Sequence, residues 1–314
     1  MKMITQADDD TAMAARQIVS TLVPRETMKP LMMKSNGPAA VHLLAHLLLI
    51  GGLAYPVGSA QGHWLVWPAM FVLGVVLTHL FAAQHECAHF SAFKTRRVNE
   101  IVASICGAII LVPEIHFRYE HTNHHSYTNL AGQDSQYIPL PKSMFHYGWY
   151  LSGLPYWWSS LSGIAKRSLG QLSEEELGFV PVGERRTVIW EARIHALLYV
   201  SLALAMVLGW SAPVWYWLLP MLLGQPVMRF IRMTEHVGRP TLLNLLQNTR
   251  STQVAWGWRF IAWNMNYHCE HHLAPTMPYH ALPKLNRLVR DHIPLAPSYP
   301  AAHREIWRHV SRPG

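Results

Sequence analysis

Three short histidine-rich stretches are the residues of this chain best suited to chemistry. His85-Glu86-Cys87-Ala88-His89 places two histidines four apart, and on a helix such a pair can grip one zinc with the intervening glutamate as general base, the pattern of many metalloproteases. Farther along come His121-Thr122-Asn123-His124-His125 and His268-Cys269-Glu270-His271-His272, both reading H-x-x-H-H. Helical positions i, i+3 and i+4 share one face, close enough for their rings to converge on a metal. Zinc takes only three or four protein ligands. Eight imidazoles suit two first-row metals with positions left open for O2, and imidazole is a good ligand for iron. A protease reading leaves the second and third stretches unexplained, so the first stretch matches it by coincidence.

Carboxylates near these stretches can accept from the distal ring N–H and so fix each imidazole's tautomer. Glu86, Glu120, Asp134, Glu235 and Glu270 are placed for that work, or for plain solvation at the surface. Glu86 and His89 also form E-x-x-H, the mark of ferritin-like carboxylate bundles, but that fold needs a second such motif and two more inward glutamates, which the spans lack. Asn264, one turn before His268, could hold a metal-bound water or cap a helix. Cys87 and Cys269 read as small packing residues, and three cysteines are too few and too scattered for a disulfide framework.

The elements that must position these groups are membrane helices. The chain has 314 residues, 50% hydrophobic and only 14% charged, against about 25% charged in a typical soluble domain. Four stretches, 38–57, 64–84, 194–210 and 212–228, are apolar enough to span a bilayer, with Pro220 and Pro226 expected to bend the last without breaking it. All 26 Lys and Arg fall in 1–37, 85–193 and 229–314, leaving none in the short connectors between spans. By the positive-inside rule, both termini and the long middle region are cytosolic. The net charge of +8 is therefore topological, and no nucleic-acid motif accompanies it. No apolar core follows the initial Met-Lys, so a cleaved secretory signal is not expected.

The predicted architecture is all-α and integral to the membrane, with four transmembrane helices in two hairpins and a cytosolic helical cap holding a histidine-rich site for two metals. Residues 1–314 form one domain, of which 1–37 is a cytosolic N-terminal segment. Segments 98–113 and 145–164 are apolar but short or rich in Trp and Tyr, and read as interfacial or re-entrant. All three histidine stretches then emerge on one face, provided 98–113 does not cross. His236, just beyond the fourth span at the same level, is a ninth ligand candidate. His42, His46 and His79 lie within spans, where ionisable groups are functional hypotheses, yet packed and hydrogen-bonded interface histidines explain them better.

The order H-x-x-x-H, H-x-x-H-H, H-x-x-H-H, separated by membrane hairpins, resembles the integral-membrane fatty acid desaturase and hydroxylase superfamily. The flanks HECAHFSAFKTRRVNEIV and WNMNYHCEHHLAPTMPYHALPKLN (263–286) resemble bacterial desaturases, including a subgroup containing the dihydrorhizobitoxine desaturase. The likeness runs from about 64 to 290. It implies two non-haem irons held by His85, His89, His121, His124, His125, His268, His271 and His272, with His236 matching the family's further histidine. It implies O2 as co-substrate, an acyl or lipid-like substrate threaded into a tunnel beneath the metals, and, in a bacterial cell, the inner membrane. The third-to-fourth hairpin is shorter than the family's. No cytochrome b5-like His-Pro-Gly-Gly segment is present, so the electron donor is a separate ferredoxin-like or cytochrome b5-like partner. Desaturation of an unactivated C–C bond is the expected reaction. A hydroxylase or ketolase of the same superfamily is the alternative, and a zinc protease a remote one, since no span supplies an aspartate as third ligand.

Overall fold

The computed structural model describes residue 17 and residues 19–310; the acidic run Asp8-Asp9-Asp10 and most of the N-terminal half of segment 1–37 lie outside the described residues. Among the described residues the chain is mostly helical. The departure from an all-α architecture is one parallel pair of two-residue strands, β1 (Ser251–Thr252) and β2 (Leu295–Ala296).

In chain order the helices are α1 (Arg25–Leu31), α2 (Gly37–Ser59), α3 (Val66–Thr78), α4 (Leu80–Ala88), α5 (Arg96–Ile110), α6 (Glu114–Tyr127), α7 (Met144–Leu151) and α8 (Leu154–Ser168). Then follow α9 (Glu174–Phe179), α10 (Arg185–Val207), α11 (Leu219–His236), α12 (Leu245–Asn248), α13 (Trp256–Ile261), α14 (His268–Leu273), α15 (Leu282–Val289) and α16 (Tyr299–Val310). Three stretches are long and apolar enough to cross a membrane: Gly37–Ser59, Val66–Ala88 and Val182–Val207. The first two match predicted spans closely. The third begins twelve residues before the predicted 194–210, because a 3-10 turn and the helix from Arg185 run through the polar stretch, and this draws Glu191 into it.

The predicted fourth span, 212–228, is helical: a π turn at Val214–Leu218 leads into α11, which continues past Pro226 unbroken. It is not among the three apolar crossers, because α11 continues through Arg229, Arg232 and Glu235. Its neighbour α3 is equally interior. The most apolar window of Val66–Ala88 is 67% buried, against 11% for Gly37–Ser59 and 22% for Val182–Val207. The outer two helices instead turn Val41, Leu44, Leu48, Ile194, Leu197, Val200 and Leu204 outward. Such faces need an apolar surrounding, and the protein is a membrane protein.

α3 and α11 meet backbone to backbone. A Cβ on Gly74 would stand 1.8 Å from the Pro220 carbonyl oxygen, and one on Gly224 would stand 2.1 Å from the Gly74 carbonyl carbon. Paired glycines permit this close approach, as at small-residue crossings of membrane helices. The contact fixes α11, and with it His236, against α3, which leads through His79 into α4 and the first histidine stretch.

Segment 98–113 forms α5, which stops at Leu111 in the left-handed region (φ 59°); the chain then turns by 96° into α6. Segment 145–164 breaks into α7 and α8, with Phe145, Trp149, Trp158 and Leu161 exposed. Ahead of α2, Lys34 donates to the Phe90 carbonyl (2.7 Å), and Asn36 is bonded to Thr95 through both its amide atoms. The start of α2 and the end of α4 therefore share one end of the molecule.

His42 and His46 are interface groups. His42 Nε2 donates to the Phe260 carbonyl (2.8 Å) and its ring stacks on Phe260 and Trp263. Trp263 Nε1 donates to His46 Nδ1 (3.2 Å), which leaves His46 Nε2 to donate to the Val76 carbonyl (3.1 Å). His79 Nδ1 donates to the Val75 carbonyl (2.6 Å) within its own helix. All three cysteines are free and buried.

Candidate metal centre

The nine histidines singled out in the sequence converge at this end. They fall into two groups whose ring nitrogens could each hold a metal ion: His85, His89, His121, His125 and His271 in one, His124, His236, His268 and His272 in the other. Within each group the candidate ligand atoms lie within 4.8 Å of one another. The two groups adjoin, for His125 stacks on His272 with centroids 4.2 Å apart. The stretch His121–His125 is thus split: helical neighbours His124 and His125 point about 100° apart and serve different groups.

Several elements hold these rings in place. α4 ends at the first stretch, with His89 as its C-cap. The N-terminus of α6 is bound by Glu191 of α10, whose carboxylate accepts from Ile115 N (2.7 Å) and His116 N (3.1 Å). That contact suits a negative group at a helix N-terminus. The third stretch is α14, tied to β1 because Cys269 N donates to Ser251 Oγ (2.9 Å).

Tautomers follow from the outer partners. His124 Nδ1 donates to both Asp134 oxygens (2.9 and 3.0 Å), and His236 Nδ1 to the Asn248 carbonyl (3.1 Å). His272 Nδ1 donates to Thr128 Oγ1 (3.3 Å), whose own hydrogen goes to the His124 carbonyl (2.9 Å). His121 Nδ1 donates to Gln136 Oε1 (3.0 Å). Each of these four rings therefore presents a bare Nε2 lone pair inward.

Those lone pairs crowd one another. His236 Nε2 and His272 Nε2 stand 2.9 and 3.1 Å from His268 Nε2, while His121 Nε2 and His271 Nε2 stand 3.1 and 3.0 Å from His125 Nε2. One N–H can serve only one of two acceptors, so neither set is satisfied by hydrogen bonding alone. Both nitrogens of His85 and Nε2 of His89 and His124 are buried without a hydrogen-bond partner among the described residues, Glu86 only approaching His85 Nδ1 at 3.4 Å. Orphaned inward nitrogens at such spacing are what a bound cation would satisfy, so the residues fit two metal ions. Burial, followed by the neighbouring imidazoles, pushes the pKa of His268, His271 and His272 well below the ordinary value, so these rings are neutral and able to ligate.

The carboxylates divide. Asp134 takes the expected role and more, since it also accepts from Asn129 N (2.7 Å) and Gln136 N (2.8 Å). Burial acts to raise its pKa, but His124 and these backbone donors outweigh that and hold it below the usual value. Glu120 acts at one remove, accepting from Gln136 Nε2 (3.2 Å). Glu86 Oε1 lies 3.4 Å from His85 Nδ1 and 4.0 Å from His271 Nδ1, and Glu86 Oε2 accepts from Ser91 (2.7 Å).

Three expectations need correction. Glu270 accepts from no imidazole N–H: it accepts from Ser251 and Asn286, because on α14 it points away from the histidine face. Glu235 is paired with Arg232 (2.7 Å), and its approach to His268 is to Nε2 (3.7 Å), the inward nitrogen. Asn264, in the left-handed region (φ 61°), donates to the Tyr279 carbonyl (3.2 Å) and caps nothing; the N-cap of α14 is Tyr267. The sequence reading missed Gln136, Thr128, Asn248 and Glu191. Asking which loop residues could accept from each outer Nδ1 would have flagged Gln136, eleven residues after His125.

Beside the five-histidine group, Phe117 stacks on His121 (centroids 5.1 Å) and Phe81 lies against His85 (6.1 Å). Both phenyl rings line a cavity of about 330 Å³ that extends under α5 and α6 toward Ile110, Leu111, Val112 and Met228.

Comparison with known proteins agrees with this arrangement. A family model described as fatty acid desaturase matches residues 62–307. A fatty acid conjugase (FAC2 B) of Calendula officinalis is 32% identical over 124 residues, 37% of this chain and 33% of its own length. An sn-1 acyl-lipid omega-3 desaturase (ferredoxin) of Nostoc is 29% identical over 124 residues, 39% of this chain and 33% of its own. A Delta(12) acyl-lipid conjugase (11E,13E-forming) of Momordica charantia is 33% identical over 93 residues, 29% of this chain and 23% of its own. The chain spans a third or less of the length of these relatives.

Proposed function

Since the chain belongs to the fatty acid desaturase family and is an oxidoreductase, we propose that it introduces a C=C bond into an acyl chain or lipid-like substrate in an O2-dependent reaction at two non-haem irons. The ligands are His85, His89, His121, His125 and His271 for one ion and His124, His236, His268 and His272 for the other. The observation that carries this reading is the convergence of nine imidazoles, from segments up to 187 positions apart (His85 to His272), into two adjoining groups.

When bound, the irons supply activation of O2. In balance, two hydrogens leave adjacent carbons, and O2 with two electrons and two protons becomes two waters. The protein's part is to hold the ligands and place the substrate. Asp134, Gln136, Asn248 and Thr128 fix ring orientation, and a charged partner such as Asp134 typically matters about 10–100-fold. Phe81 and Phe117 form an apolar wall between the five-histidine group and the cavity, where a C–C bond can lie with water excluded.

The proposed topology is four spans in two hairpins, the last being the helix through Val214–His236, with α5 and α6 re-entrant, α7 and α8 at the interface, both termini cytosolic and residues 1–314 acting as one domain. In a bacterial cell the membrane is the inner one. The electrons come from a separate ferredoxin-like or cytochrome b5-like protein, in line with the word ferredoxin in the Nostoc relative's name. Mass spectrometry of lipids and small metabolites from cells with and without the gene tests the reaction. A product lighter than its precursor by two hydrogens is expected. A gain of one oxygen instead would assign a hydroxylase, and no gene-dependent change in any acyl or lipid-like species would sink the reading.

A further inference from the structure

The cavity beside the five-histidine group is not uniformly apolar. Arg167, Arg229 and Arg232 all line it. Arg167 is paired with Glu176 (2.6 Å) and Arg232 with Glu235 (2.7 Å). Arg229 is different: among the described residues no carboxylate comes within ion-pair distance of it. Its guanidinium is nevertheless held. The carbon Cζ lies 4.6 Å above the Tyr156 ring, and the Gln225 amide, assigned with its oxygen toward Arg229 because only that orientation pairs donors with acceptors, accepts from Nε (3.1 Å) and Nη2 (3.2 Å).

Gln225 is itself wedged in place. A Cβ on Gly153 would stand 2.7 Å from Gln225 Cγ, and Gly153 sits at φ 73°, so the residue that lets Gln225 pack there is one that only glycine adopts freely. The result is a half-buried, oriented cation on a cavity wall whose remaining N–H groups have no anionic acceptor. A planar fork of this kind suits the two oxygens of a carboxylate or phosphate. The one carboxylate lining the cavity, Glu120, is engaged with Gln136.

We propose that Arg229 is the receptor for an anionic group, a carboxylate or phosphate, of the molecule that occupies this cavity. Arg229 lies three residues before Arg232, whose guanidinium covers Phe81 (5.2 Å) at the metal end, so Arg229 leaves the helix about one turn, about 4.5 Å of rise, before that end. The substrate class is accordingly one whose anionic group enters the cavity beside the carbon chain instead of remaining outside at the membrane surface. This deepens the proposed oxidation, and rests on it only in taking the occupant to be the substrate.

The anion has two sources, a free acid or a phospholipid headgroup, and one titration separates them. Hexanoate and hexanol are titrated calorimetrically into the iron-loaded protein in phosphatidylcholine discs and in phosphatidylglycerol discs, with empty discs subtracted and iron measured on the same samples. In phosphatidylcholine, wild type binds hexanoate about tenfold or more tightly than hexanol, Arg229→Gln removes that preference, and Arg229→Lys retains part of it. Unchanged hexanol binding shows the cavity of Arg229→Gln intact. If phosphatidylglycerol weakens hexanoate binding in wild type alone, the natural anion is a headgroup; if lipid makes no difference, it is a free acid. Equal affinity of wild type for hexanoate and hexanol in both discs overturns the proposal, and needs no variant to fold. Iron content reports separately on the metal reading, which stands or falls on its own.

Discussion

The two histidine groups are built from the same residue type but held differently. In the four-histidine group every ring is buried, and three of four outer nitrogens are bonded, to Asp134, the Asn248 carbonyl and Thr128. In the five-histidine group His89 and His125 are half-buried, and only His121 has a full outer hydrogen bond, to the neutral Gln136. The second group also borders the cavity through Phe81 and Phe117. One group is thus an enclosed, hydrogen-bonded cage and the other a less tied set facing the cavity. Under the proposed function, the more firmly held group is the one farther from the substrate.

Removing a ligand should separate the groups most strongly. His89→Ala is expected to abolish turnover yet leave about one iron per chain, because the enclosed cage is untouched; elemental analysis of the purified variant reads this. His268→Ala, at the centre of the cage, is expected to abolish turnover and lose both irons. Equal losses in the two variants would erase the distinction. Next in size is Asp134→Asn, which disturbs His124 directly and Gln136 through its backbone, with an expected 10–100-fold fall in turnover or metal affinity.

A chelator should then strip the protein in two phases, the half of the iron beside the cavity leaving first; a single phase removing both would mean the two sets are equally guarded. The smallest effect is expected for Gln136→Leu and Thr128→Val, each losing one neutral hydrogen bond of about 1 kcal/mol, or about fivefold in metal affinity at its own group.

The convergence of these histidines was legible in the sequence because helical periodicity is local: spacings of three and four put rings on one face without any knowledge of the fold. His236 was legible for a different reason, its depth relative to a span. The partition into five and four was not, because it depends on how α6 is rotated against α4, α11 and α14, and adjacent His124 and His125 end in different groups. Proximity in sequence misled at Glu270, next to two ligands yet turned toward Ser251 and Asn286. Gln136 and Asn248 were invisible because loops, which follow no period, carry them to their rings. The third span was placed late because hydropathy weighs side chains, whereas the helix from Arg185 is set by backbone hydrogen bonding and by Glu191 docking on α6.

The most direct test is the metal content of the purified wild-type protein by inductively coupled plasma mass spectrometry. Close to two irons per chain, with negligible zinc, is the expected result. One metal ion per chain, or zinc in place of iron, would contradict the account.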